Sequence, residues 1–579
     1  MRPRRPAAWR RAVARGVGVA AVAVLGATGL ALPAAPPTTP VLEAKAHDIA
    51  DQAVAAGRSV QVDTGLPTEA VGVDWNGTGD GAVEVRALDG GSWTPWLRLE
   101  GNPTEGPDVT SPEHRARTGA GPLWVGHGVG KVEVRVVEGD LRGLRLHAIR
   151  SEDPPGGGLR PAAAVVGQPP IVSRAAWGAD ESYRHYAPGC GQPGYADAVH
   201  FAVLHHTATA NDYTPADGPA LVRAIYYFHT HTNLWCDIGY NLLVDRYGQV
   251  YEGRYGGVTR PVIGAHAAGF NTGSTGVALI GTFQTDAVPQ AMYTALRGLL
   301  DWKLAYHGVN PLGTVAASGT VVPALAGHRD LNSTDCPGDL AYGLLTQLRG
   351  QVAAAVSAAI DKPAVARGPT YYLRGWPSSG PADTTFSFGD ATDVRLLGDW
   401  DGTHTRTPGV FRNGAWYLRN SDTTGVADVS FGFGDAGDIP VVGDWNGDGV
   451  DTPGVVRNGV WYLRNSNTTG TADVVMGFGN AGDVPVVGDW AHLGRDTPGV
   501  VRNGTWYLRA STTSGPADAS FGYGNTGDVP VVGDWNGDGT STPGVVRNGI
   551  WYLRNDNSAG TADVTFGFGN TGDRPLAWS

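Results

Sequence analysis

Residues 201–207 read FAVLHHT, in which four apolar residues are followed by two histidines and a threonine. Consecutive apolar residues of this kind predict a strand that is buried on both faces. Similar strands are predicted at 241–244 and 277–280, and helices at 218–230, 289–306 and 341–360. Buried strands that alternate with helices indicate an α/β domain with a mixed sheet and flanking helices, which we place at residues 171–360.

Two further side chains that bind metals follow far downstream of His205. His328 belongs to the triplet HRD at 328–330, and Cys336 to the triplet CPG at 336–338. Two imidazoles and one thiolate are a common ligand set for catalytic zinc, whose fourth position is left for water. The pattern alone leaves the question open, because the sequence has neither a C-x-x-C nor an H-E-x-x-H motif.

Cysteine is scarce, with three residues at 190, 236 and 336. An odd number means that at least one thiol has a role other than pairing within the chain. If Cys336 binds a metal, Cys190 and Cys236 remain as a disulfide, whose loop closure would stabilise the fold by roughly 4 kcal/mol in the chain-entropy model. The alternative is that Cys336 stays free or pairs with another cysteine.

Residues 363–579 are repetitive. The motif aromatic-Tyr-Leu-Arg begins at 371, 416, 461, 506 and 551, in steps of 45 residues, and each unit contains four short apolar stretches. Four strands in a repeat of this length are typical of a β-propeller blade. We therefore predict a five-bladed propeller. Its first strand, at 363–368, should pair with the C-terminal unit, which ends before its own fourth strand.

Two repeat loops, at 444–449 and 534–539, both read DWNGDG, with oxygen-bearing side chains at alternate positions. Calcium favours such loops, so the candidate ligands are Asp444, Asn446, Asp448, Asp534, Asn536 and Asp538. A polar turn is the alternative. The units resemble FG-GAP/VCBS-type repeats of secreted proteins. Their Trp and Tyr residues could stack on the faces of sugars, although a propeller core would use them equally well.

The N-terminal region has the pattern of an exported protein. Residues 1–35 combine a basic start, an apolar run and small residues, which predicts a signal peptide. A membrane anchor is the alternative, but the apolar run is short for one, and no stable transmembrane segment is expected after cleavage. Alternating apolar residues over 47–152 predict an accessory β-sandwich, joined to the next domain by a Pro- and Gly-rich linker at 153–170. We expect a secreted protein.

Composition narrows the class of partner. The formal net charge is -12, so binding to nucleic acid would gain nothing from counterion release and is not expected. The chain has 86 glycines and only 17% charged residues, which favours turn-rich β structure over helical bundles.

Ordered motifs between 171 and 345 resemble the peptidoglycan recognition protein family, which is related to the type 2 N-acetylmuramoyl-L-alanine amidases. They are IVSRAAWGA (171–179), LHHT (204–207), WCDIGYN (235–241), VYEGR (250–254), GAH (264–266), Asn271 and GHR (327–329). The resemblance covers about a third of the chain. It implies that the substrate is bacterial peptidoglycan and that the secreted protein is associated with the cell wall, where the C-terminal repeats could bind other cell-wall glycans.

The resemblance also implies a role for each matching residue. Three of them match the zinc ligands, namely His205, His328 and Cys336. Tyr240 matches a catalytic tyrosine that activates the water or stabilises the oxyanion. Thr334 lies where phage enzymes have a catalytic lysine and animal amidases a threonine, which leaves open the group that assists proton transfer. The residues assigned to the substrate groove are His206, Arg254, His266 and Asn271, and for His266 and Arg254 a scaffold role is the alternative.

The implied reaction is zinc-dependent hydrolysis of the amide bond between N-acetylmuramic acid and L-alanine. One alternative is a protein that only binds peptidoglycan, because some family members lack the cysteine that this chain keeps at 336. Another is a zinc peptidase that cuts within the stem peptide. Only the amidase would expose a new L-alanine amino terminus on the released peptide.

Overall fold

A computed structural model describes residues 41–50, 57–76, 81–101, 104–114, 117–152, 167–185 and 190–579. These residues form an N-terminal β domain, a central α/β domain and a C-terminal propeller, as predicted. The predicted signal peptide at 1–35 and most of the predicted linker at 153–170 lie outside the described residues. Among the helices of the described part, none has the length and apolar character needed to span a membrane.

The described part of the N-terminal domain is an all-β sandwich with one apolar core. Its strands are β1 (Val41–Ala50), β2 (Ser59–Asn76), β3 (Ala82–Asp89), β4 (Ser92–Trp93), β5 (Leu97–Glu100), β6 (Arg117–Glu138) and β7 (Arg142–Glu152). They hydrogen-bond in the order β1-β7-β2-β6-β3-β4, and β5 pairs with β3. The alternation predicted from the sequence is present, since Val132, Val134 and Val136 are all buried in the core. The chain between β5 and β6 leaves the sandwich and reaches the next domain.

The central domain contains a six-stranded mixed sheet, a small hairpin and five α-helices among its described residues. The strands are β8 (Ile171–Val172), β9 (Phe201–His206), β10 (Leu242–Val244), β11 (Val250–Glu252), β12 (Ser274–Leu279), β13 (Thr314–Ala317), β14 (Thr320–Pro323) and β15 (Leu325–Gly327). The helices are α1 (Arg174–Trp177), α2 (Gly218–Tyr227), α3 (Gln290–Tyr306), α4 (Asp339–Gly343) and α5 (Leu345–Ala359). The order of the sheet is β15-β9-β12-β10-β11-β8.

Helices cover both faces of this sheet. Leu242 and Val244 point to the face where α3 and α5 pack, whereas Leu243 points to the face covered by α2. Strands β15, β9, β12 and β10 are mutually parallel. Ligand sites in such sheets form at the carboxyl ends of the strands, since the faces are filled. His205 and His206 lie at the carboxyl end of β9, and His328 directly follows β15.

The propeller is confirmed, and residues 362–578 form five four-stranded sheets. Its strands are β16 (Lys362–Arg367), β17 (Thr370–Leu373), β18 (Thr384–Ser387), β19 (Val394–Gly398), β20 (Thr407–Arg412), β21 (Ala415–Leu418), β22 (Val429–Gly432), β23 (Ile439–Gly443), β24 (Thr452–Arg457), β25 (Val460–Leu463), β26 (Val474–Gly477), β27 (Val484–Gly488), β28 (Thr497–Arg502), β29 (Thr505–Leu508), β30 (Ala519–Gly522), β31 (Val529–Gly533), β32 (Thr542–Arg547), β33 (Ile550–Leu553), β34 (Val564–Gly567) and β35 (Arg574–Trp578). The likeness to FG-GAP/VCBS-type repeats stays a prediction.

The ring closes between its first and last strands. Strand β16 pairs antiparallel with β35, and Ala364 lies opposite Leu576. The blade boundary differs from the predicted one, because the closing sheet is β18-β17-β16-β35. The closing sheet therefore has three strands from the start of the propeller and one from its end. The prediction had a single N-terminal strand that completes the C-terminal blade. The strand that contains Pro-Val-Val in three of the repeats starts its sheet, and the aromatic motif forms the third strand.

The repeated tryptophans are core residues of the blades. Trp416, Trp461, Trp506 and Trp551 are fully buried. The Trp416 ring stacks on Phe431 with an interplanar angle of 3°, and its N–H donates to the Phe433 carbonyl over 2.9 Å. These four indoles therefore belong to the propeller core, which is one of the two alternatives that the sequence left open, and are not available to stack on sugars.

The contacts of the DWNGDG loops do not support calcium. The Asp444 carboxylate accepts hydrogen bonds from the backbone N–H groups of Gly447 and Gly449, at 2.7 and 2.9 Å, and Asp534 does the same in its own loop. Asp489 also caps its loop in this way, although its sequence lacks the Asn and Asp of the motif. The shared aspartate therefore has a structural role that needs no cation.

Candidate metal centre

His205, His328 and Cys336 lie together at the carboxyl ends of the neighbouring parallel strands β9 and β15. Their ligand atoms are all within 4.8 Å of one another, and all three side chains are buried. The turn after β15 brings Cys336 back, because the Arg329 N–H donates to the Cys336 carbonyl over 3.0 Å. The His206 N–H also donates to Cys336 Sγ over 3.4 Å. The three predicted ligands are thus one cluster in the fold.

The His205 ring has a defined orientation. Its Nδ1 lies 3.6 Å from Cys336 Sγ, and its Nε2 is hydrogen-bonded to His266 Nδ1 over 3.0 Å. Nδ1 is therefore the nitrogen that faces the cluster, and His266 holds the other one. A partner that is hydrogen-bonded to the nitrogen facing away from a metal fixes the tautomer and the orientation of a ligating histidine.

His266 itself is completely buried behind His205. The ring fits there because Gly264 and Gly276 have no side chains. A Cβ at either position would lie 2.4 Å from His266 Cδ2. Ser274 Oγ lies 3.4 Å from its second nitrogen. This location favours a supporting role over the predicted contact with substrate.

The protonation states of the cluster suit a cation. Burial lowers the pKa of His205 well below its usual value and that of His328 to about 4, so both imidazoles are neutral with a lone pair free. Within the described residues, neither ring nitrogen of His328 has a hydrogen-bond partner of normal geometry. Burial also raises the pKa of the Cys336 thiol far above its usual range. A bound zinc ion would satisfy His328 and compensate the charge of the Cys336 thiolate, so the residues fit that metal.

Tyr240 lies beside the cluster, with its ring centroid 5.5 Å from that of His205. Burial, followed by the nearby carboxylate of Glu105, raises the pKa of its phenol well above the usual value, so the hydroxyl keeps its proton. That hydroxyl donates to Glu105 of the N-terminal domain. Thr334, the other predicted catalytic residue, lies in the turn that carries the thiol. Its Oγ1 accepts from the Cys336 N–H over 3.2 Å and closes that turn.

The three remaining groove candidates have partners of their own. The Arg254 guanidinium pairs with Glu113 at 2.5 Å. Asn271 Oδ1 accepts from the His266 N–H over 2.7 Å, and its Nδ2 donates to the N-terminal domain. His206 Nδ1 accepts from the Phe283 N–H over 3.4 Å, and burial lowers the His206 pKa to about 4. Arg254 and Asn271 therefore face the N-terminal domain, whereas the half-buried His206 is held against the backbone at Phe283.

A disulfide joins Cys190 and Cys236, whose Cα atoms are 5.0 Å apart, so Cys336 keeps a free thiol. Cys236 directly precedes the buried Asp237, whose carboxylate accepts from Arg174 over 3.1 Å. The disulfide and this ion pair hold the segment that leads to Tyr240.

Sequence reasoning missed the acidic residues that the N-terminal domain contributes to this region. Glu105, Asp108 and Glu113 lie between strands β5 and β6. Burial raises the pKa of Glu105 to about 7, against the opposing effect of its hydrogen bond from Tyr240. The sequence TEGPDVTSPE at 104–113 is rich in acidic and turn-forming residues. That composition signals an acidic loop but does not say what the loop contacts.

Comparisons with known proteins match the central and N-terminal domains. The family model described as N-acetylmuramoyl-L-alanine amidase matches residues 195–339, and the model described as Rv3811 N-terminal galactose-binding domain-like matches residues 31–162. Peptidoglycan-recognition protein SC2 of Drosophila simulans is 34% identical over 177 residues, which are 31% of this chain and 84% of that protein. Human N-acetylmuramoyl-L-alanine amidase is 34% identical over 189 residues, which cover 31% of this chain and 29% of that one. The solved structure of Drosophila PGRP-LB is 26% identical, covers 30% of this chain and 92% of its own, and gives a TM-score of 0.24.

Proposed function

The chain belongs to the peptidoglycan recognition protein family, and from that membership we propose that it is a secreted, zinc-dependent N-acetylmuramoyl-L-alanine amidase. The observation that carries the proposal is the buried cluster of His205, His328 and Cys336, with ligand atoms within 4.8 Å of one another. A protein that only binds peptidoglycan has no need to bury a thiol between two neutral imidazoles. The substrate bond is the amide between N-acetylmuramic acid and L-alanine.

The residues of the cluster and its two neighbours have separate roles in this reaction. His205, through Nδ1, His328 and Cys336 would hold zinc, which supplies a Lewis acid and a water molecule of lowered pKa. His266 keeps the His205 ring in place through the bond to its Nε2. Tyr240 keeps its proton and can therefore donate a hydrogen bond to the oxyanion that develops on the substrate carbonyl.

The groove residues suit an acidic peptide. Arg254 provides a guanidinium that already binds a carboxylate at 2.5 Å. The Asn271 amide and the N–H of Gly269 both donate to another carboxylate, over 2.7 and 2.8 Å. The stem peptide of peptidoglycan has carboxylates and backbone carbonyls that these donors can bind. We propose that this groove is the binding site of the stem peptide.

Digestion of defined peptidoglycan tests the proposal. The amidase should release stem peptides that begin with a new L-alanine amino group, together with intact glycan. Peptides cut internally would instead indicate a zinc peptidase. Binding without release of peptide or glycan, in protein that contains one equivalent of zinc, would leave only the recognition function.

A further inference from the structure

Residues 104–114 of the N-terminal domain, which we call the covering segment, lie across the groove of the central domain. The Thr104 carbonyl accepts from the Ala268 N–H over 2.9 Å. The Gly106 carbonyl accepts from Asn271 Nδ2, also over 2.9 Å. At this crossing the two chains are in close contact, since a Cβ at Gly106 would lie 3.1 Å from the Trp235 ring.

Three acidic side chains of the covering segment bind the donors of the groove. Glu105 accepts from the Tyr240 hydroxyl. Asp108 accepts from Asn271 and from the Gly269 N–H. Glu113 pairs with Arg254 and accepts from the Cys236 N–H over 2.9 Å. The groove residues that donate hydrogen bonds to the covering segment are Cys236, Tyr240, Arg254, Ala268, Gly269 and Asn271.

The contacts are buried ones. Glu113 is 7% exposed and Arg254 is 8% exposed, and Gly106 and Pro107 are also buried. Tyr240, Arg254 and Asn271 are the residues that the proposed function assigns to substrate or to the reacting carbonyl. All three are engaged by the covering segment. A second acidic peptide cannot bind these donors until the segment leaves.

We propose that the covering segment is an autoinhibitory, substrate-like peptide that competes with the peptidoglycan stem peptide for the groove. The proposal rests on the proposed function for the identity of the competitor. The carboxylates and carbonyls of the covering segment accept hydrogen bonds from the donors that a stem peptide would use. A cavity of about 340 Å³ remains beside Glu113 and Arg254, and incoming peptide can begin to displace the segment there. Release requires only that residues 104–114 move, since the sandwich core lies elsewhere.

Weakening the covering segment tests the competition. The full chain with Asp108→Ala and Glu113→Ala should bind a synthetic stem tripeptide at least tenfold more tightly than the wild type, by calorimetry on metal-free protein. Asp140→Ala is the matched control, because this exposed carboxylate of the same domain pairs with Arg142 at 3.6 Å and not with a residue of the groove. The same double variant should raise kcat/KM on peptidoglycan by a similar factor. A double variant that binds the tripeptide no more tightly than the wild type, including no binding by either, overturns the proposal.

Two further measurements separate the possible failures. The variant Glu105→Gln tests whether Glu105 blocks the groove or takes part in catalysis. If Glu105 only blocks the groove, kcat/KM on peptidoglycan should stay level or rise. A large fall in kcat/KM would overturn the proposal. In the unmodified chain, saturating tripeptide should speed amide hydrogen exchange within residues 104–114. Unchanged protection at saturation would contradict displacement. If tighter binding occurs but no variant cleaves peptidoglycan, the covering segment stands and the amidase function falls.

Discussion

His205 Nδ1 lies 3.6 Å from Cys336 Sγ, although 131 residues separate the two along the chain. The strand β9 fixes the imidazole, and the turn after β15 fixes the thiol through the hydrogen bond from Arg329. Backbone hydrogen bonds of regular structure hold both atoms in place. Substitutions at these two side chains should therefore change metal binding and activity more than they change the fold.

Replacing Cys336 by serine should remove zinc and lower kcat/KM by about 100-fold or more, because a neutral hydroxyl is a much weaker ligand than a thiolate. Metal analysis by mass spectrometry and a peptidoglycan digestion assay measure the two effects. His200→Gln, at an exposed histidine outside the cluster, is the control and should keep its zinc. Full zinc content in Cys336→Ser would contradict the assignment of the thiol.

Replacing His266 by leucine should weaken zinc affinity by about 10- to 100-fold, because the bond to His205 Nε2 orients a ligand. Competition with a chromogenic chelator measures the affinity. A direct contact with substrate would give another result, in which KM rises while zinc affinity stays unchanged. The two outcomes decide between the supporting role and the role expected from the sequence.

Tyr240→Phe should lower kcat by about 100- to 1,000-fold, the usual loss when one donor to an oxyanion is removed. Zinc content should not change, because the hydroxyl is not a ligand in the cluster. Steady-state kinetics on a soluble peptidoglycan fragment give kcat and KM separately. A rise in KM with an unchanged kcat would mean that Tyr240 only binds substrate.

The propeller should show a stability that depends on pH through Asp496. Burial, and then the carboxylate of Asp451, raise the pKa of Asp496 to about 7. The folded pKa lies above the unfolded value of about 3.9, so the stability from the protonated form is present at low pH and is lost as pH rises through about 7. Asp496→Ser should therefore raise the melting temperature more at pH 8 than at pH 5.

The chain offers both a precedent and an opposite control for this substitution. Ser541 occupies the equivalent position in the next repeat, and its hydroxyl accepts from the Asp489 N–H over 3.0 Å. Arg457 lowers the pKa of Asp438, so Asp438→Asn should lower the melting temperature at pH 8 as well as at pH 5. Equal shifts for Asp496→Ser at the two pH values would argue against the raised pKa.

Removing residues 574–579 should destabilise the first blade selectively, because strand β16 would lose its pairing with β35. Amide hydrogen exchange should become faster in β16 than in β28, the equivalent strand of the fourth sheet, whose neighbours are intact. Equal protection of β16 in the truncated and full chains would mean that the ring is held closed by other contacts.

The sequence was sufficient to predict what depends on local pattern. The apolar run before His205 predicts a buried strand, and the repeat period predicts the blades and their closing strand. The phase of the blades was missed because the apolar stretches of a repeat look alike, and only the pairing of β35 with β16 separates them. For His266 the sequence left both a groove role and a scaffold role open, because its buried location depends on the space left by Gly264 and Gly276.

The covering segment shows a different limit. Glu113 and Arg254 are 141 residues apart along the chain and belong to different domains. The N-terminal domain has no motif of its own, so only packing against the central domain reveals the role of its acidic loop. Side chains that act across such an interface have no local pattern by which a single sequence could identify them.

The closure of the propeller also fixes an order of events during synthesis. Arg367 in the first blade binds Asp573 across 206 residues, and β16 waits for β35 over the same span. At typical rates of translation, about 5–20 residues per second, the first blade exposes an unpaired strand for roughly 10–40 seconds. The central domain has been fully synthesised before that interval begins, because α5 ends at Ala359. The chain therefore has an open sheet edge, of the kind that pairs with other chains, until the last blade emerges.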